Sequence, residues 1–223
     1  MLSVISFFIP MSSQENVREV TKRKQLENLV RALGGTRLPL HEPCTPGTRI
    51  DILQEIENEV NKGDGHNVIW IGGFPGVGKS ALAASVTDRL QRQSRHVIWF
   101  RFDCTQSTTI ATEALWRIVA CDFARWYPFL RQQLAQGNRE LSSPSIDRLF
   151  ETLIEKPLST LYDIPHEKLP VIVIDALDEC GGLRHDKSGI DDYKGLLRTL
   201  KRWPDCLKKF KLIITSRPED RIP

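Results

Sequence analysis

The segment Gly73-Phe74-Pro75-Gly76-Val77-Gly78-Lys79-Ser80 fits the pattern G-x-x-x-x-G-K-[ST], and that pattern restricts the fold more than anything else in the chain. Its glycines allow backbone N–H groups to turn inward and approach phosphate oxygens, which requires a loop clamped between two rigid elements. The short apolar run Val68-Ile69-Trp70-Ile71 comes just before and reads as a strand buried on both faces. The alanine-rich stretch from Ala81 to Leu90 follows and reads as a helix. Strand, loop and helix in that order aim the helix N-terminus at an anion. Lys79 then brings a point charge to the β- and γ-phosphates, and the Ser80 hydroxyl is a ligand for Mg²⁺. A glycine turn that binds nothing is the bland reading, and the flanking strand and helix weigh against it.

The strand–helix alternation continues downstream. His96 to Phe102 and Lys211 to Thr215 read as strands, and Val171-Ile172-Val173-Ile174-Asp175 is the strongest strand pattern in the chain. Helices are expected over Ile110 to Leu134 with a break at Pro128, over Ile146 to Leu161 with an interruption at Pro157, and over Asp191 to Trp203. Asn138 to Ser145 and Gly181 to Gly189 read as loops. This predicts an α/β three-layer sandwich with a mainly parallel sheet. Upstream, Gln14 to Leu33 carries an apolar helical stripe stopped by Gly34-Gly35, and Thr36 to Gly47 holds Pro39, Pro43 and Pro46 and reads as a linker. Thr48 to Asn61 resumes a helical period. The chain therefore divides into an N-terminal helical segment and linker, 1–43, and a nucleotide-binding domain, 44–223.

Composition bounds the remaining options. With 223 residues, 40% hydrophobic and 26% charged, the chain reads as globular. A formal net charge of +3 gives no case for nucleic acid or an anionic membrane. The basic stretch Lys194, Arg198, Lys201, Arg202, Lys208, Lys209 and Lys211 reads as a solvated helix face and turn, with Leu196, Leu197, Leu200 and Trp203 inward. Trp116, Trp126, Tyr127 and Phe129 read as packing residues rather than a platform for bases. Cys44, Cys104, Cys121, Cys180 and Cys206 form no C-x-x-C pair, which points to reduced thiols and a cytoplasmic location. The apolar opening Leu2 to Met11 is too short to span a bilayer and lacks the basic flank of a signal peptide.

A phosphate loop needs an acidic partner for the metal. Asp175 ends its apolar strand at the carboxyl edge, where ligands bind in such sheets, so Ser80 and Asp175 are the expected metal ligands. Asp178 and Glu179 follow at once, and Glu179 is the candidate to orient an attacking water. A solvated acidic turn is the alternative. Arg217 ends the last strand at the same edge, where a guanidinium can meet phosphate charge, or else it lies in an exposed turn before Pro218.

Cys44-Thr45-Pro46-Gly47-Thr48-Arg49, Gly73 to Ser80, the acidic strand Val171 to Glu179 followed by Cys180, and Ile213 to Glu219 occur in an order that resembles the NACHT-type NTPases of the STAND class. More narrowly, the chain is similar to fungal proteins with a nephrocystin-like N-terminal module. The resemblance implies a nucleotide-controlled signalling switch built into a multidomain receptor. It gives Lys79 and Ser80 the Walker A roles, Asp175 and Glu179 the Walker B roles, Asp178 a place beside them, and Arg217 the part of first sensor. It puts Thr48 and Arg49 near the base or ribose. ATP with Mg²⁺ is favoured, as no guanine-reading N-K-x-D is present, and GTP stays open. Protein partners or self-association are implied as well. The family's helical lid, winged helix and repeats are not found before Pro223, which suggests a truncated domain in which Val68 to Ile71 is an exposed edge unless the N-terminal helix covers it. Two other functions remain in play: a non-catalytic interaction or decoy fragment, and a P-loop kinase using Arg184.

Overall fold

The computed structural model describes residues 20–21, 24, 26–31, 37–106, 112–139, 141, 145–180 and 187–218. The opening Leu2 to Met11, the Gly34-Gly35 stop, Gly181, Arg184 and Glu219 lie outside them.

Four strands form one parallel sheet: β1 (Val68–Gly72), β2 (Val97–Arg101), β3 (Val171–Asp175) and β4 (Leu212–Ser216). Their order across the sheet is β1-β4-β3-β2. Register pairs Ile71 with Thr215, Ile174 with Ile214, and Arg101 with Asp175, so the carboxyl ends of all strands come out on one edge. Each of these strands is five residues long. β3 and β4 are buried along their whole length, which explains their unbroken apolar sequence.

Successive side chains point to opposite faces, and the core divides accordingly. Val97, Trp99, Val171, Val173 and Ile213 meet α1 (Ile50–Asn61) and α2 (Lys79–Arg92) through Leu53, Val60, Leu82, Val86 and Leu90. On the other face, Ile98, Phe100, Ile172, Ile174, Leu212 and Ile214 meet α3 (Glu113–Trp126), α4 (Leu130–Arg139), α5 (Ile146–Phe150), α6 (Lys156–Ser159) and α7 (Lys187–Cys206). The chain is thus a three-layer α/β sandwich with a fully parallel sheet among the described residues.

Several expectations are corrected. α4 runs on through Asn138 to Arg139, so the polar loop begins later than its composition suggests. Pro157 does not stop the helix. A π-helical stretch, Glu151–Glu155, precedes it and hands over to α6 with Pro157 in the first turn. The wider turn offers the site where a missing N–H costs least. Phe129 is exposed, resting edge-on against Tyr127, whereas Trp116 is fully buried. Lys211 is buried rather than solvated, and its ammonium donates to the His66 carbonyl at 2.9 Å. Arg198 and Arg202 of the basic face pair with Asp147 and Glu155. α7 already begins at Lys187, within the stretch expected to be loop.

β1 is one of the sheet's two edges and, among the described residues, pairs only with β4. Residues 26–31 are helical. Leu29 joins the core cluster of the α3–α7 face and faces Phe129 and Arg131 across a groove, so this turn lies beside α4 rather than along β1. No described helix is long and apolar enough to cross a membrane.

Candidate functional site

The loop after β1 takes its shape from glycine. Gly76 and Gly78 have φ of 79° and 83°, in the left-handed region, which side chains other than glycine's enter at a cost. Gly78 is the N-cap of α2, with no side-chain cap and no acid in the first turn. The first N–H groups of that helix, through Lys79, Ser80 and Ala81, are therefore available to an anion. Phe74 and Val77 project outward and are exposed. Lys79 folds back on the loop, donating to the carbonyls of Gly73 at 2.7 Å and Phe74 at 3.2 Å.

Opposite the loop is Asp175, fully buried at the end of β3. Its Oδ1 accepts from Ser80 Oγ at 3.1 Å and from the hydroxyl of Thr215 on β4. Thr215 in turn accepts from the backbone N–H of Ala176 at 2.9 Å. The other carboxylate oxygen, Oδ2, is buried with no hydrogen-bond partner. A buried, unsatisfied carboxylate oxygen is expensive unless something fills its shell. With one oxygen aligned by two hydroxyls and the other bare, the donor set suits a hard divalent cation bound through oxygen.

Beyond β3 the chain turns through Ala176, at φ 55°, into a short 3₁₀ turn, Leu177–Glu179. That turn swings both acids to the cavity. Glu179 Oε2 accepts from the Cys104 N–H at 3.0 Å, at the start of the 3₁₀ turn Cys104–Gln106 that follows β2. Asp178 Oδ2 forms an ion pair with Arg217 Nε at 2.9 Å. Asp103, Cys104 and Glu179 offer ligand atoms within 4.8 Å of one another, but Asp103 is already held by Thr105 and Arg101 and Glu179 by Cys104. Burial, with Glu179 nearby, pushes the Cys104 thiol up, so it is a poor thiolate donor.

A cavity of about 280 Å³ joins these parts: Pro75, Gly76, Gly78, Lys79 and Ser80 on one side, Asp178, Glu179, Thr215 and Arg217 on the other. The residues expected to act together are therefore brought together from the ends of β1, β3 and β4. Thr48 and Arg49 are placed differently from the phosphate cavity's lining. The Thr48 hydroxyl donates to the Thr45 carbonyl at 2.7 Å. Arg49, in the left-handed region at φ 57°, spreads its guanidinium over the loop carbonyls of Val77 and of Gly78, the latter at 2.8 Å. Any Cβ at position 78 would come within 2.8 Å of that guanidinium. Arg49, Ile52, Trp70, Val77 and Lys79 also line a second groove of about 780 Å³ between α1 and β1.

Two contributors were not apparent in sequence: Thr215 as the hydroxyl that aligns Asp175, and the Cys104 N–H as the anchor of Glu179. A polar residue near the end of an apolar strand, as in Ile213-Ile214-Thr215, is the signal for the first. A backbone donor leaves no sequence signal.

Vegetative incompatibility protein HET-E-1 of Podospora anserina is 25% identical over 162 residues, covering 70% of this chain. The chain spans 11% of that protein's length. Among solved structures, a DNA replication initiation factor aligns at 15% identity with a TM-score of 0.33, over 81% of this chain and 41% of that one. The pCW3 conjugation coupling protein TcpA, a monomer form with ATPγS, aligns at 13% and 0.34, over 81% and 52%. Overlaps that loose carry no argument. The family model described as "Nephrocystin 3, N-terminal" matches residues 47–217, from the turn before α1 to Arg217. The chain belongs to the nephrocystin 3 N-terminal family.

Proposed function

We propose that this chain binds a nucleoside triphosphate, ATP in preference to GTP, with Mg²⁺ at the Gly73–Ser80 loop, and hydrolyses it slowly as a signalling switch. The observation that carries the reading is Asp175, buried at the end of β3, whose Oδ1 accepts from Ser80 of the loop while its Oδ2 is buried with no hydrogen-bond partner. Ser80 and Asp175 would hold the metal, and the metal would neutralise phosphate charge when bound. Lys79 exchanges its two loop carbonyls for phosphate oxygens, and the N–H groups that open α2 complete the cradle. Glu179, steadied by the Cys104 N–H, orients and deprotonates a water. The groove lined by Arg49 is of the size that takes a nucleoside, and Thr48, next to Arg49 in the chain, would lie near it.

The carboxylates favour water as the acceptor over a second substrate. Free phosphate should appear from Mg-ATP with no acceptor added, and Glu179→Gln should slow it at least tenfold, within the usual range for a lost general base, while binding persists. Phosphate release that is unaffected by Glu179→Gln would remove Glu179 from that role.

A further inference from the structure

We infer that Asp178 sets the preference between nucleoside di- and triphosphates, by holding Arg217 away from the terminal phosphate; this rests on the nucleotide reading above. Arg217 Nε forms an ion pair with Asp178 Oδ2 at 2.9 Å, across the gap between the ends of β4 and β3. The two partners differ in their surroundings. The Asp178 side chain is 9% exposed and that of Arg217 is 52% exposed. The second Asp178 oxygen, Oδ1, is buried with no hydrogen-bond partner. Asp178 thus depends on Arg217 for its one ionic partner among the described residues, while Arg217 has room to swing.

Both residues line the cavity that Lys79 and Ser80 close from the other side. A triphosphate brings an extra anionic group that competes with Asp178 for the guanidinium, whose fork suits phosphate and carboxylate alike. Transfer of Arg217 to phosphate strands a buried carboxylate, and such a loss is costly. A diphosphate lacks the competing group and leaves the ion pair intact. The pair therefore opposes the triphosphate selectively, and the resting chain is biased toward the diphosphate.

The test measures affinities of the full 223-residue chain for Mg-ADP and for a non-hydrolysable Mg-ATP analogue. Asp178→Asn keeps the shape and removes the charge. It should raise the triphosphate-to-diphosphate preference by about tenfold, equivalent to about 1.4 kcal/mol, with diphosphate affinity unchanged. In an Arg217→Gln background the same substitution should have no effect on the ratio. An unchanged ratio overturns the inference, and so does a shift that persists without Arg217, which would mean simple repulsion by Asp178. A readout on the unmodified chain guards against a variant that fails to fold. The Arg217 guanidinium resonance should keep one environment in the empty and ADP-bound chain and shift only with the triphosphate analogue. The same signal in all three states overturns the latch. Failure of the nucleotide reading looks different: wild type and Lys79→Ala would bind neither ligand, and the latch would fall with it.

Discussion

Asp175 concentrates the chemistry of this site in a single side chain. It is fully buried, two hydroxyls align one of its oxygens, and the other oxygen has no partner. Such a residue stabilises the fold poorly, because a buried carboxylate without a cation costs more than it returns. Asp175→Asn should consequently leave the metal-free chain within about 1 kcal/mol of wild type, as hydroxyl bonds to one oxygen survive. It should also abolish the extra thermal stabilisation that Mg²⁺ adds in the presence of nucleotide. Melting curves with and without Mg²⁺ decide the matter, and a full Mg²⁺-dependent shift in the variant would show that the metal lies elsewhere. Arg49 teaches the opposite lesson at this scale. The resemblance implied a place near the base or ribose; what the structure shows is its guanidinium buttressing the carbonyls of Val77 and Gly78.

At the level of elements, β3 is the beam on which the acids are mounted. All of its residues are buried, Ile172 and Ile174 facing the α3–α7 layer and Val171 and Val173 facing α1 and α2. Truncating Ile172 to alanine should cost about 2–5 kcal/mol, the range for a large-to-small change in a packed core. The urea midpoint measures this, and a loss under about 1 kcal/mol would mean that the α3–α7 layer is loosely packed. Trp116 should behave similarly, as it is fully buried between Phe150 and Trp203. The strands were legible because their apolar runs are short and bounded, and all four lie within a residue or so of where the pattern puts them. Helix ends were less so. Asn138 is helical because α4 is held by packing of Leu130 and Leu134 rather than by local propensity. The π-helical stretch before Pro157 depends on how α5 and α6 are packed, which no local pattern encodes.

For the molecule as a whole, the three layers and the gathering of Lys79, Ser80, Asp175, Glu179 and Arg217 at one sheet edge followed from parallel strand topology. What the pattern could not supply was pairing among those charges, since partner choice depends on angstrom-scale placement of turns such as Ala176 to Glu179. The thiols give a whole-chain prediction. All five cysteines are free. Burial pushes Cys121 and Cys206 up to about 11 and Cys180 up to about 12. The folded state thus keeps protons that unfolded thiols release near pH 8.5. This contribution is fully present below that pH and is lost as pH rises toward the folded values. Burial raises Tyr127 in the same sense, while buried Lys211 is pushed down and acts oppositely. Stability should fall above roughly pH 9, and Cys180→Ala should flatten the decline, as read from melting temperatures across that range. An identical slope in the variant would contradict it.

The claim on which everything else depends is that Gly73 to Ser80 is a working phosphate cradle. Its most direct test is equilibrium binding of a fluorescent ATP analogue to the purified chain in Mg²⁺, wild type beside Lys79→Ala. The account predicts saturable binding by the wild type, weakened at least tenfold by loss of the Lys79 charge. Equal affinity in both proteins, or no binding by either, would contradict it.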